Sequence, residues 1–378
     1  MMTLRQTMDA RKYWLGFNAV RGIGPLRLRA LQAAFDSLES AWHASESELA
    51  AAGLDRRAIG NLLAARQHFD LDRMLEAVYR AGASVITLDD ADYPPLLREL
   101  PDAPPVLFVK GTLLDADRWA VAFVGTRRAT AYGREVTRQL VASLAGAGIT
   151  IVSGLALGID AAAHKAALDA GGRTIAVLGC GIDRVYPPEH RKLAADIVNN
   201  GALITEFPLG TEPEGKNFPV RNRLISGLSL GVVVVEAPLN SGALLTADFA
   251  AEQGRDVFAV PGNVTSPASA GTNRLIQNGA KLVVSADDIL DELNLTRTTV
   301  ETQTQVRQIA PDSPLEAALA ALLEDEPLHI DDLVERSGLP ITAVSSTLAL
   351  MELKGMVQRQ EGMTYARAQG GAPLLRLD

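Results

Sequence analysis

The chain has 378 residues, 47% of them hydrophobic and 21% charged, which is enough apolar surface for two or three domains with at least one large core. No apolar run reaches the ~20 residues of a membrane span, the lone cysteine Cys180 excludes an internal disulfide framework, and the first residues lack the apolar stretch of a secretory signal, so a protein of the reducing cytoplasm is expected. The formal net charge of -9 argues against nucleic acid as a partner unless positive charge is concentrated locally.

Residues 1–88 carry helical periodicity, with Leu28, Leu31, Ala34, Phe35 and Leu38 recurring at spacings of three and four and a similar set around Leu62, Leu63, Met74, Leu75 and Val78. The turn Gly22-Ile23-Gly24-Pro25 has the form of a helix-hairpin-helix phosphate clasp. The simpler reading is that it ends one helix and starts the next. Prolines 94, 95, 101, 104 and 105 then mark 89–118 as a connector.

Between 119 and 295, β-rich runs at 121–124, 149–153, 174–178, 202–205, 232–235, 257–260 and 282–284 alternate with helical stretches. That alternation predicts an α/β fold, a Rossmann-like, doubly wound parallel sheet with helices on both faces. The polar, aperiodic stretch 296–313 is a linker. Residues 314–366 follow the order helix, helix, turn, helix and hairpin, which predicts a winged helix. No repeat of 20 to 50 residues is visible.

In open parallel sheets ligands sit beyond the carboxyl ends of the strands. The first such end delivers Gly125, Thr126, Arg127 and Arg128 ahead of a helix start, the ingredients of a phosphate cradle. The second delivers Ser153 and Gly154, small residues that let a ligand approach the backbone. The fourth leads into Lys216, Asn217, Phe218, Arg221, Asn222 and Arg223, and the fifth into Ser241 and Gly242. Guanidiniums for phosphates beside an aromatic face for a base are the means of holding single-stranded nucleic acid without sequence preference.

Catalytic alternatives find little support. The G-x-G-x-x-G fingerprint, the phosphate loop ending in Gly-Lys, G-x-S-x-G and H-E-x-x-H are all absent, and Cys180 has no partner at zinc-ligand spacing. No cofactor or metal is therefore expected. His164, one helical turn after Asp160, is read as a structural partner of that carboxylate, Glu206 and Glu236 as holders of Arg221 or Arg223, and Cys180 as a small buried residue.

Val-Gly-Thr-Arg at 124–127 with Tyr132-Gly133, Ser-Gly-Leu-Ala-Leu-Gly-Ile-Asp at 153–160 with His164, Gly179-Cys180-Gly181 with Tyr186-Pro187, Phe-Pro-Val-Arg-Asn-Arg at 218–223, Glu236 with Ser241-Gly242, and Val260-Pro261-Gly262 followed by Gly271-Thr272-Asn273 occur in this order. Together they resemble the DNA-processing protein DprA (Smf) family over residues 90–290, and the flanks resemble the helical SAM-like and winged-helix domains of its longer members. Thr126 stands where that family usually has Ser, and the hydroxyl is kept. The resemblance implies a non-catalytic protein that binds single-stranded DNA, forms a homodimer, protects incoming DNA and helps load the RecA recombinase in natural transformation.

The winged helix departs from a duplex-DNA reader. Between Pro314 and Met363 nine acidic residues face three basic ones, and the recognition helix at 342–354 has a single base, Lys354, at its far end. Duplex DNA rewards Lys and Arg, so this tail suits protein contact. The chief rival function is a nucleotide-processing enzyme of the phosphoribohydrolase type on a similar sheet, whose P-G-G-x-G-T-x-x-E is replaced here by the sequence from Glu236 to Ala243.

Overall fold

The computed structural model describes residues 4–295, 313–323, 327–353, 357–359 and 363–367. The chain divides into two compact units, Met1–Asn294 and Leu295–Asp378. The linker expected at 296–313 lies outside the described residues except for Ser313.

The first unit opens with six helices, α1 (Leu4–Ala19), α2 (Pro25–Ala34), α3 (Leu38–His43), α4 (Glu46–Ala51), α5 (Arg56–His68) and α6 (Leu71–Arg80). Their starts are written in the sequence: Ser37 and Ser45 form capping boxes, Asp55 accepts from Ala58 N, Asp70 accepts from Arg73 N, and Pro25 takes the first position of α2. Gly22, at φ 93°, makes the turn between α1 and α2, and its carbonyl accepts from Arg27.

Nine strands form one sheet: β1 (Ser84–Thr87), β2 (Val106–Gly111), β3 (Ala120–Val124), β4 (Thr150–Ser153), β5 (Thr174–Val177), β6 (Gly201–Thr205), β7 (Gly231–Val234), β8 (Asp256–Ala259) and β9 (Lys281–Leu282), in the order β1-β2-β6-β5-β4-β3-β7-β8-β9. From β6 to β9 every pairing is parallel. The crossovers contain α8 (Ala131–Gly146), α9 (Ile159–Asp169), α10 (Arg191–Asn200), α11 (Asn217–Gly227), α12 (Gly242–Glu252) and α13 (Ala270–Gln277). The short α7 (Pro95–Arg98) precedes β2, and α14 (Ala286–Glu292) closes the unit. The β3, β4 and β5 side chains are buried throughout, which is why these strands are apolar runs without alternation.

Two features differ from the sequence-based expectation. The proline-rich stretch 89–118, expected to be a connector, supplies β2, antiparallel to β6, and the end of the helical segment supplies β1, antiparallel to β2. Pro104 and Pro105 stand just before β2, where their fixed φ leads into extended backbone and their missing N–H groups interrupt no pairing. The helices are also not a separate module. Phe17, Leu31, Leu49 and Leu62 share one apolar core with Val106, Phe108, Ala176, Leu178 and Leu203 of the sheet. The opposite face packs Ala122, Val124, Val152, Val232 and Val234 against Leu224 and Ile225 of α11.

The second unit contains α15 (Pro314–Leu322), β10 (Leu328–His329), α16 (Ile330–Ser337), α17 (Ile341–Leu353), β11 (Val357–Arg359) and β12 (Thr364–Arg367), its strands ordered β10-β12-β11. Ser313 caps α15, and Gly338 ends α16 at φ 67°. Leu319, Leu333, Val344, Leu348 and Met351 form its core with Tyr365, the arrangement of a winged helix.

His164 on α9 is fully buried, and its partner is Thr174 rather than the expected Asp160: Nδ1 lies 2.7 Å from Thr174 Oγ1, whose hydroxyl donates to Ile151 O. Nδ1 therefore donates, and Nε2 is left with a lone pair and no hydrogen-bond partner. Burial, with the like-charge influence of His190 and Arg221, holds the imidazole down at about 3. The unfolded chain takes up this proton near pH 6.5 and the folded chain does not, so stability is present above pH 6.5 and is lost as the pH falls below it. We expect urea unfolding between pH 6.5 and 4.5 to show a loss of about 1.4 kcal/mol per pH unit that is absent in His164→Asn. A slope unchanged by the substitution assigns the acid sensitivity to other groups.

Candidate nucleic-acid interface

The order of crossovers creates the site. From β3 the chain moves to β4, β5 and β6 on one side, then returns through α11 to β7 on the other side of β3. The connections leaving β3 and β7 thus diverge at neighbouring carboxyl ends, and a crevice opens between them. It is a groove of about 640 Å³, walled by Gly125, Thr126 and Arg127 after β3, Ala156 and Asp160 after β4, Phe218, Arg221 and Asn222 on α11, and Ser241 and Gly242 after β7.

Arg221 forms the floor. It is only 4% exposed, and its Nη1 donates to Gly154 O at the end of β4 (2.8 Å) and to Val177 O at the end of β5. Its Nε donates to Asn222 Oδ1 at 3.2 Å. Burial brings the guanidinium down to about 10, still fully charged at neutral pH, with Asp160 acting in the opposite direction. Burial likewise pushes the Asp160 carboxyl up, while Arg221 and the amides of Gly154 and Ala156 pull it back. A Cβ on Gly154 would stand 2.8 Å from both the guanidinium and the carboxylate, so only glycine lets the two charges share this space. Leu155 follows at φ 58°, a left-handed conformation costing about 1 kcal/mol, with its carbonyl accepting from His190 Nδ1 at 2.8 Å.

Above the floor sits Phe218. Arg127 lies over its ring at 5.5 Å, Arg221 at 5.8 Å, and Tyr186 packs at a centroid distance of 5.6 Å. Arg127 and Tyr186 are exposed and Phe218 is half-buried. This cluster offers an exposed cation and aromatic surface at the mouth of a crevice floored by Arg221. That is the chemistry for a phosphate and a base.

The remaining candidate residues fall into two sets. Lys216 is exposed at the lip beside Gly215 and pairs with Glu214, an exchangeable surface contact. Ser241 caps α12 by accepting from Ala243 N, Gly242 is exposed, and Thr126 Oγ1 accepts from the amide of exposed Arg128. The second set is turned into the scaffold. Ser153 Oγ donates to Phe123 O, Asn217 Nδ2 donates to Glu212 O, and Arg223 is held by Glu206 and Asp102. Glu206 thus holds Arg223 as expected. Glu236 holds neither arginine: its two oxygens accept from Thr130 N and Thr130 Oγ1, fixing the start of α8. Tyr186 belongs to the groove and was not among the candidate residues, although its place after the Gly179–Gly181 strand end was a usable signal. Cys180 is buried, with its thiol pushed up by burial to about 11.

Comparison with known proteins gives these residues a context. The model of the family described as DNA recombination-mediator protein A matches residues 84–294, and that of the DprA winged helix domain matches 303–363. Protein Smf of Synechocystis is 37% identical over 94% of this chain and 98% of its own length, and the DNA processing protein DprA of Bacillus subtilis is 46% identical over 59% and 75%. Among solved structures, DNA processing protein A of Streptococcus pneumoniae superposes with a TM-score of 0.65 at 35% identity, covering 74% of this chain and 97% of that one. The Helicobacter pylori protein, described for its single-stranded DNA binding mode, gives 0.51 at 32% identity, covering 57% and 97%.

Scaffold and surface arginines separate by experiment. Arg221→Ala leaves Asp160 buried without its counter-charge, and we expect a loss of about 3–5 kcal/mol in urea unfolding. Arg127→Ala, at an exposed position, is expected to cost no more than about 1 kcal/mol. Equal losses in the two variants would contradict the division of roles.

Proposed function

The chain belongs to the DNA recombination-mediator protein A (DprA/Smf) family, and on that footing we propose that it binds single-stranded DNA in the strand-end groove, clamping phosphates and stacking bases without catalysing a reaction. The observation that carries this reading is the Arg127 guanidinium over the Phe218 ring, at the mouth of a crevice floored by the buried charge of Arg221. In this reading the protein protects incoming DNA, acts as a homodimer in the cytoplasm, and helps load RecA during natural transformation. The single-stranded DNA binding mode of the Helicobacter pylori relative supports the choice of ligand.

Several contacts favour a binding role over the rival phosphoribohydrolase activity. Glu236, the acid at the β7 end, is buried, is not among the residues lining the groove, and accepts from Thr130 through both oxygens, a role in holding the start of α8. His164 is sealed in the core, and Cys180 lacks the lowered pKa of a nucleophile. The acidic winged helix suits contact with protein.

We expect Arg127→Ala and Lys216→Ala each to weaken binding of an oligothymidylate while circular dichroism stays native, and wild-type affinity to fall linearly with salt on logarithmic axes, by about 0.7 for each neutralised phosphate. Unchanged affinity in both variants overturns the site. Deleting residues 296–378 is expected to leave binding equal or slightly tighter at low salt, with the gain fading as salt screens the removed acids. Loss of binding in a folded truncation would make the tail the DNA-binding element.

A further inference from the structure

Beside the strand-end groove lies a second one, of about 570 Å³, between α8 and α9. Arg127 walls both, so the two adjoin at that side chain. Its character is different. Arg128, Arg134, Arg138 and Lys165 line it, with Asp169 as the one carboxylate in its wall. Arg138 is bound to Glu135 at 2.6 Å, whereas Arg128, Arg134 and Lys165 have no carboxylate partner among the described residues. The floor is made of Gly158, Ala161, Ala162 and Ala166, side chains too small to keep a polymer backbone at a distance. No Phe, Tyr or Trp lines it, and its one ring, the His190 imidazole, is buried with Nδ1 bound to Leu155 O, so it offers a base little surface to stack on.

We propose that this α8–α9 groove holds the sugar-phosphate backbone of the same DNA strand as it leaves the strand-end groove past Arg127, by charge alone and with the bases turned to solvent. The inference rests on the strand-end groove being a single-stranded DNA site. Three points favour a nucleic-acid strand over an acidic protein surface: the wall shared with the first groove at Arg127, the three cations without a carboxylate partner on both sides of the groove (Arg128 and Arg134 around the start of α8, Lys165 on α9), and the glycine and alanine floor. A backbone-only track adds affinity without base preference and makes it depend on strand length.

The test uses the full chain and oligothymidylates of about 6 and about 30 nucleotides, measured by fluorescence anisotropy over a salt series. In the double variant Arg134→Glu/Lys165→Glu we expect hexamer affinity within about twofold of wild type, roughly tenfold weaker binding of the long strand, and a long-strand salt slope lower by about 1.4. The milder Arg134→Gln/Lys165→Gln serves if charge reversal impairs folding. Unchanged long-strand affinity and slope overturn the proposal and leave the groove to an acidic protein surface. Equal losses for both lengths also overturn it, since the two grooves would then not act separately. Failure of the wild type to bind even the hexamer removes the strand-end reading itself, an outcome distinct from the other two.

Discussion

A single buried cation holds the functional end of the sheet together. Arg221 reaches from α11 to the carbonyls that end β4 and β5, and the charge is tolerated because Asp160 lies across the space that Gly154 leaves open. Such an arrangement adds little net stability, since desolvating two charges costs about as much as their attraction returns. What it supplies is position. With α11 anchored, Phe218 is fixed one turn earlier on the same helix, and Arg127 has a ring to lie over. The exposed residues of the groove are arranged by one that scarcely meets solvent.

The local field also resolves the conflict posed by an acidic chain. Net charge describes long-range behaviour, whereas a crevice with low-dielectric walls concentrates the field of the few charges inside it. Arginines 127, 128, 134 and 221 and Lys165 gather around the ends of β3 and β4, while the winged helix carries much of the opposing charge. A whole-chain total averages over both.

Much of this was legible in the sequence because parallel strands buried on both faces leave runs such as Val121–Val124 and Val232–Val235, and because crevice residues follow those runs at once. The failures have physical causes. β2 was hidden by prolines that read as breakers yet precede a strand, and β10 is too short to show a period. The orientation of a side chain was beyond reach: Arg221, Asn222 and Arg223 are consecutive, but the helical rotation between them sends the first into the floor, the second to the groove wall and the third to Glu206. His164 took Thr174, a partner from the neighbouring strand, where only Asp160 was close in sequence.

The apolar core shared by the N-terminal helices and the sheet bears on how the molecule comes into being. Phe17 and Leu31 leave the ribosome early, yet the surface that buries them includes Ala176 and Leu203 of strands made much later. The helical layer therefore emerges with its apolar face uncovered and must wait for β5 and β6, an interval in which it depends on its own helix-to-helix contacts, such as the Phe17–Trp42 edge contact at 5.1 Å, to stay out of aggregates. The winged helix draws its core from its own short stretch of chain, so its closure rests on contacts close in sequence.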